Sequence, residues 1–519
     1  MWNKEQKSIV MNLTDNLLVN APAGTGKTRV LAGRIAHIIQ SGKAKASEIL
    51  CLTFTNRACK ELQERILAVV PDEGAAVTVK TIHSFCYFLL LNESRYKKDY
   101  VMDSVIYDSE DCKDIITSLP ACRHFSSRQM QDIQNAMEWE KKRRVIEDLP
   151  PYLPPSQRCR DGHEIDVLAL LEQYDQILRD NRALDFTDLV TGAFTALRDA
   201  SCRTRWQQKY KYISIDEMQD TSELEYRVIS QLFGQSILLL CGDYFQTIYE
   251  WRGSHPQAIV EAYRKTYHPR EISLTINYRS TQTLIEASQE TLQHLLGPKV
   301  AAVYPDGCTA AAEGMGEAIV LHGAESLVDE SHWIFHRIEE LKDIPYSRMA
   351  IMTRTNLESY KIWGTLSAYN ASLPYEKRIP VSLINQFRLF KRKECKDVIA
   401  FLRYTLNPFD SLSLRRILMT YASRIGKRTI EAIESPSYGR YGIALTDFVH
   451  PLAQKDGDPY YRLLENWKKG NIVVFDVETT GTDTSHDDII QISAIRLGPN
   501  GFYDEGKQTK ERTFNRYGL

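Results

Sequence analysis

Apolar and polar positions along this chain follow two periods in turn. Short apolar runs occur at Leu17-Leu18-Val19, Ile49-Leu50-Cys51-Leu52, Val77 with Val79, Tyr212-Ile213-Ser214-Ile215, Ile237-Leu238-Leu239-Leu240 and Ile272-Ser273-Leu274. Their length and continuity predict strands buried on both faces. Between them, apolar residues recur at helical spacing. Val30, Leu31, Ile35, Ile38 and Ile39 mark one face of residues 29–40, closed by Gly42, and a second helix is predicted over about 58–69. Strands alternating with helices predict an α/β fold, a parallel sheet wrapped by helices.

From about 86 to 190 the pattern turns helical and polar, which predicts a helical insertion between strands of the first domain. It carries the basic run Lys141-Lys142-Arg143-Arg144, predicted as a solvated face, and a proline-rich loop around Pro150-Pro151 and Pro154-Pro155. Residues 296–317, rich in Gly, Ala and Pro, predict a linker. A second α/β region follows, with strands predicted at 318–321, 349–352 and 379–382 and helices over about 328–342 and 394–406. His332 and His336 lie one turn apart there, but no third ligand is near, so plain helix surface is predicted. Two last strands are predicted at 471–481 and 489–495. The polar, glycine-containing tail from 498 is predicted to be mobile.

At 519 residues the chain has room for several domains. Its 65 Lys and Arg nearly balance 67 Asp and Glu, so no global field draws in nucleic acid, and such binding needs a local groove. Ten scattered cysteines, none in a C-x-x-C pair, indicate neither a zinc site nor a disulfide framework and fit a reducing cytosol. No apolar run reaches transmembrane length, and the polar N-terminus has no signal-peptide pattern, so a cytoplasmic protein without a membrane partner is predicted.

Candidate chemistry begins at Ala21-Pro22-Ala23-Gly24-Thr25-Gly26-Lys27-Thr28, between a predicted strand and a predicted helix. In that setting turn N–H groups and the positive helix end face an anion, Lys27 reaches the β- and γ-phosphates, and the Thr28 hydroxyl ligates Mg²⁺. The pattern calls for glycine at its first position, where this chain has Ala21. A second signal, Asp216-Glu217, ends the strand run 212–215. Asp216 there can hold Mg²⁺ through its coordinated water, and Glu217 can take a proton from the attacking water. Together the two signals predict an ATPase.

Further motifs follow in order: Leu52-Thr53-Phe54-Thr55-Asn56, Leu184-Asp185-Phe186-Thr187-Asp188, Gln219-Asp220-Thr221, the run from Gly242 through Gln246-Thr247-Ile248-Tyr249-Glu250-Trp251-Arg252 to Gly253, and Asn277-Tyr278-Arg279-Ser280. With the phosphate loop, this series resembles the UvrD/Rep family of superfamily 1 DNA helicases from about residue 2 to 430. The resemblance implies RecA-like P-loop motor domains. Gln6 would read adenine and Tyr278 would stack on it, beside a loop of Ala23, Gly24, Thr25, Gly26, Lys27 and Thr28; Arg279 and Gln246 would sense the γ-phosphate. Phe54, Tyr249 and Trp251 would stack bases of single-stranded DNA, with core packing as the alternative for each, and Asn56, His83 and Arg252 would touch the strand. One departure is Tyr244-Phe245, where the family more often has acidic or proline-containing pairs.

The C-terminal segment differs in chemistry. In Phe475-Asp476-Val477-Glu478-Thr479-Thr480-Gly481 two carboxylates share one face of a predicted strand and can ligate metal ions. This context resembles the first motif of DnaQ-like (DEDD) 3′–5′ exonucleases and implies the first strands of a ribonuclease H-like fold, over about 470–519. The organisation expected is a first RecA-like motor domain at 1–85 and 191–275, the helical insertion at 86–190, a partial second motor domain at 276–406, the start of an accessory helical subdomain at 407–469, and a truncated exonuclease segment. The resemblance implies an ATP- and Mg²⁺-dependent helicase or translocase moving 3′ to 5′ on single-stranded DNA, or on DNA with a 3′ overhang, as the N-terminal part of a helicase–exonuclease fusion. No later arginine finger of the V-A-x-T-R-A type follows residue 420, and further exonuclease ligands would fall beyond Leu519. The alternative is therefore a module that binds ATP and single-stranded DNA without completing a cycle.

Overall fold

The computed structural model describes residues 2–94, 104–122, 125–146, 149, 166–243, 245–246, 256–297, 307–384, 389–423, 425–435, 444–449, 461–481, 489–498 and 513–517. Its centre is a six-stranded parallel sheet. The strands are β1 (Leu17–Asn20), β2 (Ile49–Thr53), β3 (Thr78–Thr81), β6 (Tyr212–Ile215), β7 (Ile237–Gly242) and β8 (Arg270–Ser273), in the order β3-β2-β6-β7-β1-β8. The short strands β4 (Val105–Ile106) and β5 (Ala183–Leu184) pair apart from it, as do β9 (Ile276–Asn277) and β10 (Thr309–Ala310).

Alternation along each strand feeds two cores. Leu18, Leu50, Leu52, Ile213, Ile215, Leu238 and Leu240 face Phe85, Leu89, Leu189 and Ala193 on one side. Leu17, Val19, Ile49, Cys51, Tyr212, Leu239 and Cys241 face Ile9, Leu31, Ile35 and Ile66 on the other. Both faces are covered because parallel crossovers lay helices on each, which is why the inner strands β1, β2, β6 and β7 are mostly apolar, while the edge strands β3 and β8 carry Lys80, Arg270 and Glu271. The covering helices include α1 (Lys4–Met11), α2 (Lys27–Gln40), α3 (Asn56–Leu67) and α4 (Ile82–Ser94).

The insertion is helical, with α5 (Ser109–Ser118), α6 (Ser127–Arg143), α7 (Val167–Asp180) and α8 (Phe186–Arg198). Its basic run departs from the expected solvated face at one residue. Lys141 is only 5% exposed, and its ammonium reaches Asp185 at 2.7 Å and Asp188 at 2.8 Å, while the Tyr174 hydroxyl donates to Asp185 at 3.0 Å. Asp185 and Asp188 also form the capping box that starts α8, so one lysine ties α6 to that helix start.

Two compact units divide the chain: residues 1–102, 106–174 and 184–390 in the first, and 103–105, 175–183 and 391–519 in the second. Within the first, helices Leu327–Glu340 and Asn356–Ser372 enclose Phe335, Ile362, Leu366 and Ile379. The strands expected at 318–321, 349–352 and 379–382 are not formed; these runs have no ladder partner among the described residues, and Leu321 and Met352 are each 91% exposed. A strand needs a neighbour for its N–H and C=O groups, and apolar content alone does not supply one. In the stretch expected to be a linker, β10 pairs parallel with β9.

In the second unit, helices Lys393–Leu406, Ser411–Tyr421 and Lys427–Ile433 contribute to a small core at Leu414, Ile430 and Leu445. Asn407 is fully buried and donates to the Asn181 carbonyl at 2.6 Å. An antiparallel sheet follows, β11 (Ile472–Thr479), β12 (Ile489–Leu497) and β13 (Thr513–Tyr517), in that order. The pairing of β13 with β12 overturns the expectation of a mobile tail over those five residues. Thr513, Phe514 and Tyr517 give the segment the β-branched and aromatic content that favours an edge strand.

Candidate active site

The carboxyl ends of the central strands bring the sequence motifs together. The loop after β1 holds residues 21–26, Phe54 and Asn56 follow β2, and His83 follows β3 in the first turn of α4. Asp216 and Glu217 follow β6, Gln246 lies just beyond β7, and β9, next in sequence after β8, ends at Asn277 ahead of Tyr278 and Arg279. In a doubly wound sheet this edge is where ligands bind.

Gly24 and Gly26 both have φ of 84°, in the left-handed region that favours glycine. Ala21 has no such requirement; it is fully buried, and its N–H donates to the Gly242 carbonyl at 2.8 Å, which accounts for alanine at the motif's first position. Thr25 folds its hydroxyl back onto the Pro22 carbonyl at 2.8 Å. Gly26 then starts α2, so Lys27 and Thr28 occupy its first turn. Open N–H groups and the helix dipole make this end a site for phosphate oxygens.

Lys27 reaches across to Glu217 at 2.6 Å. Burial would lower its ammonium, but the carboxylates of Asp216 and Glu217 outweigh burial and hold it above its ordinary range. Asp216 is buried, and burial, opposed by Lys27 and reinforced by Glu217, pushes its carboxyl up to about 7. A divalent cation bound there would favour the carboxylate, and Thr28 in the first turn of α2 carries a hydroxyl of the hard-oxygen type that Mg²⁺ takes. Glu217 has φ of 52°, a strained value for a non-glycine residue, and Gln219 donates to its carboxylate at 2.8 Å. The Gln219 oxygen in turn accepts from the Asp243 N–H at 3.0 Å, linking Glu217 to the segment that carries Gln246. Sequence reading gave Gln219 no role; its place two residues after the acidic pair was the available signal.

The segment after β9 closes over the loop. Asn277 donates to the Ala23 carbonyl at 2.9 Å and the Tyr278 N–H to the Gly24 carbonyl at 2.8 Å. A Cβ on Gly24 would collide with the Asn277 side chain. Tyr278 is half exposed, and its hydroxyl accepts from Asn3 at 3.1 Å. Gln6 is almost fully buried, with its amide donating to the Thr25 carbonyl at 3.1 Å, so it stands against the phosphate loop itself. The exposed Arg279 and Gln246 flank this assembly in sequence.

Among the residues expected to meet DNA, Phe54 is half buried and Asn56 is exposed at the start of α3. His83, half buried at the start of α4, lies 3.6 Å from Glu225 and packs edge-on against Phe186, an exposed aromatic of the 184–188 motif. Tyr249, Trp251 and Arg252 lie outside the described residues. In the second unit Asp476 and Glu478 occupy alternate positions of β11, opposite Ser493 and Gln491 of β12. No cluster of three or more His, Cys, Asp or Glu residues suited to a metal occurs among the described residues.

A glycine-turned loop at a strand end, a Lys-Thr pair on the next helix and a strand-end acidic pair define a P-loop nucleotide-binding protein with a RecA-like α/β core. The chain belongs to the UvrD/Rep helicase family: the UvrD/REP helicase N-terminal domain matches residues 2–267 and the UvrD-like helicase C-terminal domain matches 272–515. It is 30% identical over 440 residues to the ATP-dependent DNA helicase PcrA of Staphylococcus epidermidis, covering 83% of this chain and 58% of that protein. It is 28% identical over 472 residues to the ATP-dependent DNA helicase UvrD1 of Mycobacterium tuberculosis, covering 87% and 58%. The chain thus spans less than two thirds of these relatives' length. The C-terminal match runs to residue 515, across β11 and β12. No helix among the described residues is long and apolar enough to cross a membrane.

Proposed function

We propose that this chain is the ATP-binding motor portion of a UvrD/Rep-type DNA helicase or translocase, acting on single-stranded DNA or a 3′ overhang in the 3′ to 5′ direction. The observation that carries it is the 2.6 Å contact between Lys27 and Glu217 at the mouth of the phosphate loop. Lys27 and the loop N–H groups bind the triphosphate, Thr28 and Asp216 would hold Mg²⁺, and Glu217, released when Lys27 turns to phosphate, accepts a proton from the water whose oxygen bonds the γ-phosphorus as the bond to the β-phosphate oxygen breaks and ADP leaves. Magnesium supplies charge neutralisation of the phosphates. Gln246 and Arg279 answer to the γ-phosphate, while Gln6 and Tyr278 hold adenine. Phe54, Asn56, His83, Tyr249, Trp251 and Arg252 carry the strand. The first motor domain comprises 1–85 and 191–275, with the insertion at 86–190 and a partial second motor domain at 276–406.

Binding of a fluorescent ATP analogue tests the site. Lys27→Ala should abolish it, and wild-type affinity in that variant would remove the phosphate loop from the account. A second reading, an exonuclease segment from residue 470 after an accessory subdomain at 407–469, is supported by Asp476 and Glu478 alternating along β11. Mg²⁺-dependent loss of nucleotides from single-stranded DNA, removed by Asp476→Ala, would support it, whereas the same loss in the variant would exclude that pair.

A further inference from the structure

The helix that carries Gln6 lies outside the central sheet, so its position is set by what it packs on. That support is α2, the helix that begins in the phosphate loop. At the far end of α1, the Arg34 guanidinium is 1% exposed and donates through Nη1 to the carbonyls of Ile9, at 2.9 Å, and Asn12. These carbonyls belong to the end of α1, where intrahelical donors run out. Nη2 of Arg34 has no hydrogen-bond partner among the described residues. A fully buried cation is a costly way to cap a helix, since a backbone turn or water does so without desolvating a charge.

At the near end of α1, the Trp2 ring occupies the space where a Gly33 side chain would begin, and a Cβ there would overlap it. The Arg29 guanidinium covers the same ring 4.9 Å from its centre. Asn3 caps the helix by accepting from the Gln6 N–H at 2.7 Å, and the Asn3 N–H donates back to the Gln6 side-chain oxygen at 3.3 Å. Adjacent residues of α2, Gly33 and Arg34, therefore grip α1 at its two ends, and Gln6 lies between the grips with its amide on Thr25.

We propose that Arg34, with Gly33 beside it, is a positioning residue for base recognition: it fixes α1 on the phosphate-loop helix so that the Gln6 amide meets the nucleotide's base in one register, favouring adenine over guanine. This rests on the assignment of Gln6 to adenine. Movement of the phosphate loop then carries the base-reading residue with it, because both sit on one rigid pair of helices.

The test compares the affinity of the full chain for fluorescent ATP, fluorescent GTP and inorganic tripolyphosphate, each well below the variant's Tm. Arg34→Met should keep tripolyphosphate affinity within about twofold and lower the ATP-to-GTP preference by roughly tenfold, about the worth of one hydrogen bond. Arg34→Lys, which retains one donor direction, should restore part of the preference. Gly33→Ala should also lower it, because the new Cβ would overlap the Trp2 ring that seats the near end of α1. An unchanged preference in Arg34→Met, with only a lower Tm, would overturn the proposal. If Gln6→Ala loses the preference while Arg34→Met keeps it, adenine recognition stands and the role of Arg34 falls. If neither variant loses it, both fall.

Discussion

Lys27 and Glu217 neutralise each other at 2.6 Å, and Gln219 holds the second partner in place. In the proposed cycle this contact would keep the proton acceptor occupied until phosphate draws the lysine away. Glu217→Gln should therefore leave ATP affinity within a few-fold while lowering turnover by about 10²–10⁴. Gln219→Ala should lower turnover less and leave binding intact, a difference that steady-state kinetics resolves. Trp251→Ala should cost about 1–3 kcal/mol of affinity for single-stranded DNA and leave ATP affinity unchanged; unchanged DNA affinity with a lower Tm would assign Trp251 to the core. At this scale much was legible from the sequence, because loop chemistry depends on neighbours in the chain. The Gln219 bridge to Asp243 was not, because it spans two strand ends.

Among the elements, the inner strands of the sheet were legible because they are mostly apolar on both faces, whereas the runs at 318–382 show that apolar character without a ladder partner makes no strand. The buried Lys141 was illegible for a related reason: its carboxylates lie more than forty residues away, so the local sequence shows only a basic run. Lys141→Met would leave Asp185 and Asp188 facing each other without a cation, and about 3–5 kcal/mol should be lost in urea unfolding. The same cluster predicts a pH dependence. Burial and Asp185 push the Asp188 carboxyl up to about 6, against the opposing pull of Lys141. Its contribution to stability is therefore complete below its ordinary value near 4 and disappears as pH rises through about 6. Asp188→Asn should flatten this part of the stability profile between pH 4 and 7, on the order of 1–3 kcal/mol; a profile identical to wild type would place the Asp188 titration elsewhere.

At the scale of the whole molecule, the nucleotide-facing motifs converge within the first unit, and the family matches run from residue 2 to 515. The pair on β11 lies in the second unit. In the proposed motor, Glu217 drives ATP hydrolysis coupled to DNA at this one site. Its most direct test is phosphate release from bound ATP in Mg²⁺, with and without single-stranded DNA, in wild type and Glu217→Gln. Release that DNA accelerates is expected in wild type, with release lower by about 10²–10⁴ in the variant at equal ATP occupancy. Equal release from both proteins would contradict the assigned base, and bound ATP that neither protein cleaves, with or without DNA, would instead establish a binding module that does not cycle.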